Sequence, residues 1–240
     1  LIQGKNYAIA SQIVTHPQIK AVGFTGSERV GMILQQQINE RAEPIPFYGE
    51  LGSINPQYIL PNKIAQSGAE IAQGLVASLL MGQGQFCTSP GLWIVIENEH
   101  YSDFEQSVNA ALISQPAGVM LTRDIQAAYQ SRIEQWHNLE GVKCIASGEK
   151  GEAYHCQAAV FSCDLDTFIR HNELNEEVFG PAALIIKCSD EVQMQQMITL
   201  LKGNLTASVH ADSLDMLLAQ QLALPLAHKV GRLIFNQMPT

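Results

Sequence analysis

The sequence predicts an α/β fold built on an open, mainly parallel sheet flanked by helices. Two observations carry this expectation. Segments of strand character alternate with segments of helical period along the whole chain. The strongest strand, Leu92-Trp93-Ile94-Val95-Ile96, is apolar at every position rather than every second one, as a strand reads when both of its faces are covered.

In chain order, Tyr7 to Val14 is a helical patch that His16-Pro17 ends. Ile19 to Phe24 is a short apolar strand. Thr25-Gly26-Ser27 follows, then an amphipathic helix marked by Val30, Ile33, Leu34, Gln37 and Ile38. Ile45 to Tyr48 is a strand leading into Glu50-Leu51-Gly52-Ser53, and Asn55-Pro56 leads into a buried strand at Tyr58-Ile59-Leu60. Ile64, Ala65, Gly68, Ile71, Ala72, Leu75, Val76, Leu79 and Leu80 recur at helical spacing, with Asn62 placed as the cap and Gly82 and Gly84 as the stop. Beyond the strand at 92–96 lie two amphipathic helices, one over Tyr101 to Leu112 and one over Ile125 to His137 after a Thr122 cap. Strands at Ala158 to Ser162 and Ala182 to Ile186 come next. A helix at Val192 to Leu201, a strand at Leu205 to His210, a helix at Leu214 to Leu222 and a strand at Gly231 to Phe235 complete the chain.

Composition narrows the function. With 240 residues, 46% hydrophobic and 15% charged, the chain can bury a sizeable core in one large or two smaller domains. A net charge of −9 without long runs or a basic patch argues against nucleic acid or an anionic membrane as partner. No stretch of 18 apolar residues is present, and Leu1-Ile2-Gln3-Gly4-Lys5 lacks the order of a secretory signal. The five cysteines are odd in number and show no Cys-x-x-Cys spacing, so we expect neither zinc nor a disulfide framework, in keeping with a reducing cytoplasm. His100, His137, His155 and His171 are scattered without metal spacing.

Three stretches hold candidate chemistry. Cys87 lies in Gly82-Gln-Gly-Gln-Phe-Cys-Thr-Ser-Pro-Gly91, between a long helix and a buried strand. A thiol on a Gly-flanked loop can be approached closely and stabilised as thiolate by backbone N–H groups, although a small inert core cysteine would read the same way. Ser27, between a strand and a helix, is either a helix cap or part of an anion site where free N–H groups and the helix dipole converge. Glu50 is either a solvated loop charge or a partly desolvated carboxylate whose pKa is raised toward the range of a general base. The adjacent Glu176 and Glu177 would ordinarily mark a solvated turn.

Gly84-Gln85-Phe86-Cys87-Thr88-Ser89-Pro90-Gly91 resembles the active-site cysteine motif of the aldehyde dehydrogenase superfamily. Its Gln-Phe-Cys-Thr-x-Pro-Gly form is most similar to the bacterial branch of 2-oxoglutarate semialdehyde and long-chain fatty aldehyde dehydrogenases. Phe24-Thr25-Gly26-Ser27, Glu50-Leu51-Gly52-Ser53-Ile54-Asn55-Pro56 and Glu176-Glu177-Val178-Phe179-Gly180-Pro181 match in the family's order. The resemblance implies Cys87 as nucleophile, Glu50 as the base that activates hydrolytic water, Gly26-Ser27 at the cofactor pyrophosphate, Glu177 on the nicotinamide ribose and Phe179 against the nicotinamide. Ser53 and Ile54 stand where the family commonly has Gly and Lys, a departure beside the base and not at it.

The implied reaction is oxidation of a small-molecule aldehyde to an acid with NAD or NADP, through a cysteine thiohemiacetal and thioester, in a homo-oligomer. The resemblance also implies that residues 1–50 are the end of a Rossmann-like cofactor domain and 51–240 most of a catalytic domain. Leu1 and Thr240 read as cut ends of an enzyme about twice as long, whose oxyanion Asn lies before Leu1. We expect the chain alone to be inactive. Three other readings stay open: a structural or binding piece without catalysis; a Cys-dependent acyl hydrolase, although no His lies within twelve residues of Cys87; and a CoA-acylating relative, which could do without Glu50.

Overall fold

The structure is a computed structural model and describes Leu1, Ile2, Gly4 and residues 7–240. The opening Leu1-Ile2-Gln3-Gly4-Lys5, which reads from the sequence as a strand end or loop, falls partly outside the described residues. The chain divides into two compact units, Leu1–Gly52 and Ser53–Thr240.

The first unit is a strand–helix–strand motif preceded by a helix. Helix α1 (Tyr7–Thr15) leads to β1 (Val22–Thr25), α2 (Glu28–Asn39) and β2 (Phe47–Glu50). The two strands pair in parallel, Val22 beside Phe47 through Thr25 beside Glu50. Val14, Leu34 and Ile38 form its core, and Phe24 stacks on Phe47 with ring centroids 6.4 Å apart. Both strands lie one to three residues later than the apolar runs suggested, because the ladder follows the pairing and not the hydrophobicity. Arg41, which the sequence does not single out, holds the α1–β1 connection: its guanidinium donates to the carbonyls of Val14, His16 and Ile19 at 2.6, 3.0 and 3.0 Å.

The second unit is a seven-stranded sheet covered on both faces. Its elements are β3 (Gln57–Ile59), α3 (Pro61–Leu80), β4 (Leu92–Ile96), α4 (Tyr101–Leu112), β5 (Gly118–Val119), α5 (Arg123–Asn138), β6 (Lys143–Ser147), β7 (His155–Cys156), β8 (Ala159–Asp164), α6 (Leu165–Arg170), β9 (Ala182–Cys188), α7 (Glu191–Leu200), β10 (Asn204–His210), α8 (Met216–Ala227) and β11 (Val230–Phe235). The sheet order is β11-β10-β3-β4-β9-β8-β6, every pair parallel except β6 with β8. In β4, Leu92, Ile94 and Ile96 enter one core cluster and Trp93 and Val95 the other, which is why the strand shows no polar alternation. Among the described residues, no helix is long and apolar enough to cross a membrane.

Three local readings are corrected. Asn62 does not cap α3: the cap position is Leu60 and Pro61 opens the helix. The orphan N–H groups of Asn62 and Lys63 instead donate to the two carboxylate oxygens of buried Asp215, at 3.0 and 2.8 Å, in a short turn 153 and 152 residues later. The helix expected from Leu214 starts at Met216 and continues through Pro225 to Ala227. Finally, β6, α6 and the β5–β7 ribbon were not anticipated. They are short and their apolar periods are weak, and β6 is an edge strand that opens on two exposed residues.

Candidate active site

Helix α3 ends at Leu80, and a tight turn over Met81–Gly84 carries the chain away from it with Gly82, Gln83 and Gly84 at φ 56°, 58° and 65°. Only glycine serves at position 84. A Cβ there would lie 2.2 Å from the Gly180 carbonyl oxygen, so this turn and the segment before β9 touch backbone to backbone. Cys87 follows, exposed to solvent. The Ser89 N–H donates to the Phe86 carbonyl at 3.1 Å, and the Gly91 N–H to the Ile54 carbonyl at 3.0 Å.

The segment Ser53–Pro56 straps this loop to the start of β10. Asn55 is fully buried at φ 47°, and its side-chain N–H groups donate to the carbonyls of Cys87 and Ser89, both at 2.9 Å. Its side-chain oxygen accepts from Ser53 Oγ at 2.8 Å, Thr206 Oγ1 at 3.0 Å and the Thr206 N–H at 3.2 Å. Asn204, the first residue of β10, accepts the N–H groups of Ile54 and Asn55 on its side-chain oxygen at 2.8 and 3.2 Å.

Beside the loop lies a cleft with room for about one water, about 20 Å³, lined by Gly84, Phe86 and Ser89 together with Ser53, Trp136, Glu177 and Phe179. Burial pushes the Glu177 carboxyl above the usual carboxylate range, against the lowering effect of the Ser53 N–H that donates to it. Ser89 Oγ and Trp136 Nε1 are buried without a protein partner. Helix α5 backs the Glu177 segment at three points: Arg132 pairs with Glu176, the Tyr129 ring packs on Gly180, and Trp136 lines the cleft.

The structure therefore brings Glu177 and Phe179 together with the residues flanking Cys87, while Cys87 itself is not among the residues lining the cleft. In the first unit, Gly26 and Ser27 sit between β1 and α2, and the Gly26 N–H donates to the Glu50 carbonyl at 3.1 Å. Ser27 occupies the N-cap position of α2 but makes no side-chain capping bond, so the simple cap reading of this serine fails. Glu50 closes β2 and is exposed, which corrects the expected partial desolvation. Asn55, Asn204, Tyr129, Arg132 and Trp136 were missed. The Asn55 signal was present inside the matched stretch, where Asn55-Pro56 was read only as the lead into a strand, whereas the α5 residues carry no local signal.

Residues 1–240 match the Aldehyde dehydrogenase family. The chain is 41% identical to alpha-ketoglutaric semialdehyde dehydrogenase 2 of Azospirillum brasilense over 100% of this chain and 46% of that protein. It is 37% identical to an alpha-ketoglutaric semialdehyde dehydrogenase of Acinetobacter baylyi over 97% of this chain and 44% of that protein. The chain thus spans less than half the length of these curated relatives. Its fold is that of a NAD-dependent benzaldehyde dehydrogenase from Corynebacterium glutamicum, with a TM-score of 0.80 over 97% of this chain and 50% of that one at 24% identity. Matched from its first residue to its last, this chain belongs to the aldehyde dehydrogenase family.

Proposed function

We propose that the chain carries the nucleophile, the hydrolytic base and part of the cofactor-holding residues for oxidation of an aldehyde to a carboxylic acid with NAD or NADP. The two units divide this work: residues 1–50 as the end of a dinucleotide-binding domain and 51–240 as the catalytic domain. The observation that carries the reading is an exposed cysteine on a loop held at both flanking peptides, bordering a cleft that contains a partly dehydrated carboxylate and an aromatic ring.

The Cys87 thiolate adds to the aldehyde carbonyl and gives a thiohemiacetal. With the Phe86 carbonyl turned to Ser89, the trans peptide directs the Cys87 N–H the opposite way, where it can meet the developing oxyanion. A nicotinamide, when bound, supplies the hydride acceptor. The residues present fit such a group. Glu177 offers a carboxylate to paired ribose hydroxyls, Phe179 a face to a flat ring, and Gly26-Ser27 the start of α2, where the positive end of the helix dipole suits a pyrophosphate. Glu50 activates the water that releases the acid from the Cys87 thioester. The relatives' names support a semialdehyde as substrate, with a fatty aldehyde as the alternative.

The test is NAD(P)H absorbance with 2-oxoglutarate semialdehyde and with a long-chain aldehyde. In a full-length enzyme, Cys87→Ala abolishes turnover, while Cys144→Ala, at the other exposed cysteine, retains most of it. Turnover surviving in Cys87→Ala overturns the assignment.

A further inference from the structure

We propose that Asn55 is a positioning residue for Cys87, whose buried carboxamide locks the peptide after the thiol so that Sγ and the neighbouring N–H meet one carbonyl together. The inference rests on the reading of Cys87 as nucleophile. Three observations carry it. Asn55 is fully buried, and its backbone sits at φ 47°, a region that asparagine enters more readily than other residues with a side chain. Its amide has both N–H groups on carbonyls, those of Cys87 and Ser89, and its oxygen faces three donors from Ser53 and Thr206. Turning the amide over would set its N–H groups against those donors and its oxygen against the two carbonyls, so one orientation is enforced.

The consequence falls on Cys87. Its own carbonyl is held by Asn55, and the carbonyl before it is held by the Ser89 N–H, so both peptides bordering the thiol are fixed. Addition to a carbonyl forms the Sγ–C bond and breaks the C=O π bond. The electron pair moves to oxygen, which takes the thiol proton. For the Cys87 N–H to donate to that oxygen, Sγ and N–H must keep one separation, and small misplacements of such pairs are costly. Without the Asn55 amide the Cys87–Thr88 peptide is free to turn, and two carbonyls lose their donors.

The experiment reads the addition step alone, with neither cofactor nor hydrolysis. An aliphatic trifluoromethyl ketone is titrated into the protein, and the thiohemiketal is followed by ¹⁹F NMR. Cys87→Ala must abolish the adduct. Asn55→Gly, which keeps the left-handed backbone accessible, is expected to weaken it about tenfold or more. Thr206→Val, which removes only the hydroxyl that orients the Asn55 oxygen, is expected to weaken it by a smaller factor, and Thr206→Ser to restore it. Alkylation of exposed Cys144 serves as the internal control and stays unchanged. A folded Asn55→Gly protein that binds the ketone within about twofold of the parent overturns the proposal. If Asn55→Gly exposes Cys156, Cys163 and Cys188 to alkylation, it has unfolded and the Thr206 pair decides alone: equal adduct stability in Thr206→Val and Thr206→Ser then overturns it. A parent protein with no Cys87-dependent adduct overturns the nucleophile reading and takes this inference with it.

Discussion

The two units present their chemistry at opposite ends of parallel strands. In Leu1–Gly52, Gly26 and Ser27 follow β1 and Glu50 closes β2, so the proposed site residues lie at the carboxyl end. In Ser53–Thr240, Asn55 precedes β3, Cys87 precedes β4, Glu177 and Phe179 precede β9, and Asn204 opens β10, so the proposed site residues lie at the amino end. Open α/β sheets commonly bind ligands beyond the carboxyl ends, because the helix that follows a strand offers unpaired N–H groups and its positive dipole end. The amino edge has the reverse supply. Helix α3 delivers carbonyls and a negative dipole end just before Cys87, which is unfavourable beside a thiolate. The left-handed turn at Met81–Gly84 carries the loop off that axis, and the amides of Asn55 and Asn204 provide donors and acceptors that no helix end supplies there. The anion site proposed in the first unit rests on a helix start, whereas the cysteine loop of the second is held by side-chain amides.

The buried polar stripe of the second unit gives the largest expected effect. Gln57, Ser208 and His210 are fully buried on adjoining strands β3 and β10, where His210 Nε2 meets Gln57 Oε1 at 3.2 Å and Nδ1 has no partner. Burial, with a smaller contribution from the Lys63 charge, pushes the His210 imidazole down to about 4. A histidine depressed in the folded state binds its proton more readily when unfolded. Its stabilisation is complete above about pH 6.5 and is lost as pH falls through about 4, amounting to about 3 kcal/mol. Urea unfolding followed by tryptophan fluorescence reports on this unit, since both Trp93 and Trp136 lie in it. His210→Gln should remove that part of the acid slope. An unchanged slope would show that the stripe is hydrated.

Second in size is the base. In a full-length enzyme, Glu50→Gln should keep a single-turnover burst of NAD(P)H and lose about 10²-fold in steady-state rate, because hydrolysis is proposed to follow the redox step. Stopped-flow absorbance separates the two phases. Loss of the burst as well would move the role of Glu50 to a step before hydride transfer and away from hydrolysis.

Third is the contact of the two loops at the amino edge. Gly84→Ala puts a methyl carbon 2.2 Å from the Gly180 oxygen at φ 65°, and should cost about 2 kcal/mol or more in unfolding free energy. Gly203→Ala, whose nearest neighbour would be 3.8 Å away, is the control. Equal stability of the two variants would mean that the cysteine loop is not braced by the Glu177 segment.

These effects divide along the line between what the sequence reveals and what it hides. The alternation of strands and helices, the doubly covered β4, the Thr122 cap of α5 and the glycine stop after α3 were legible, because each is set by neighbours within a few residues. The Asp215 cap of α3, the Arg41 clasp and the Asn55–Thr206 node were not. Each joins residues 22 to 153 positions apart, and no local period records such a meeting. Exposure at Glu50 escaped for a related reason, since a short apolar run before a carboxylate says nothing about what covers it.

The smallest effect sharpens the comparison most. Ser27 stands at the N-cap of α2, and replacing a capping serine by alanine ordinarily costs about 1 kcal/mol. This hydroxyl makes no capping bond, so Ser27→Ala should change the stability of the protein by no more than a few tenths of a kcal/mol. If the carboxyl edge of the first unit binds a pyrophosphate, the same substitution should instead weaken cofactor binding, by about 0.5–1.5 kcal/mol for one lost hydrogen bond. Calorimetric titration with NAD and NADP alongside thermal unfolding reads both quantities on one variant. A stability loss near 1 kcal/mol with unaltered cofactor affinity would return Ser27 to the role of an ordinary cap. It would also leave the backbone N–H groups of α2 as the whole of the anion site, which is the limiting form of a site built without side chains.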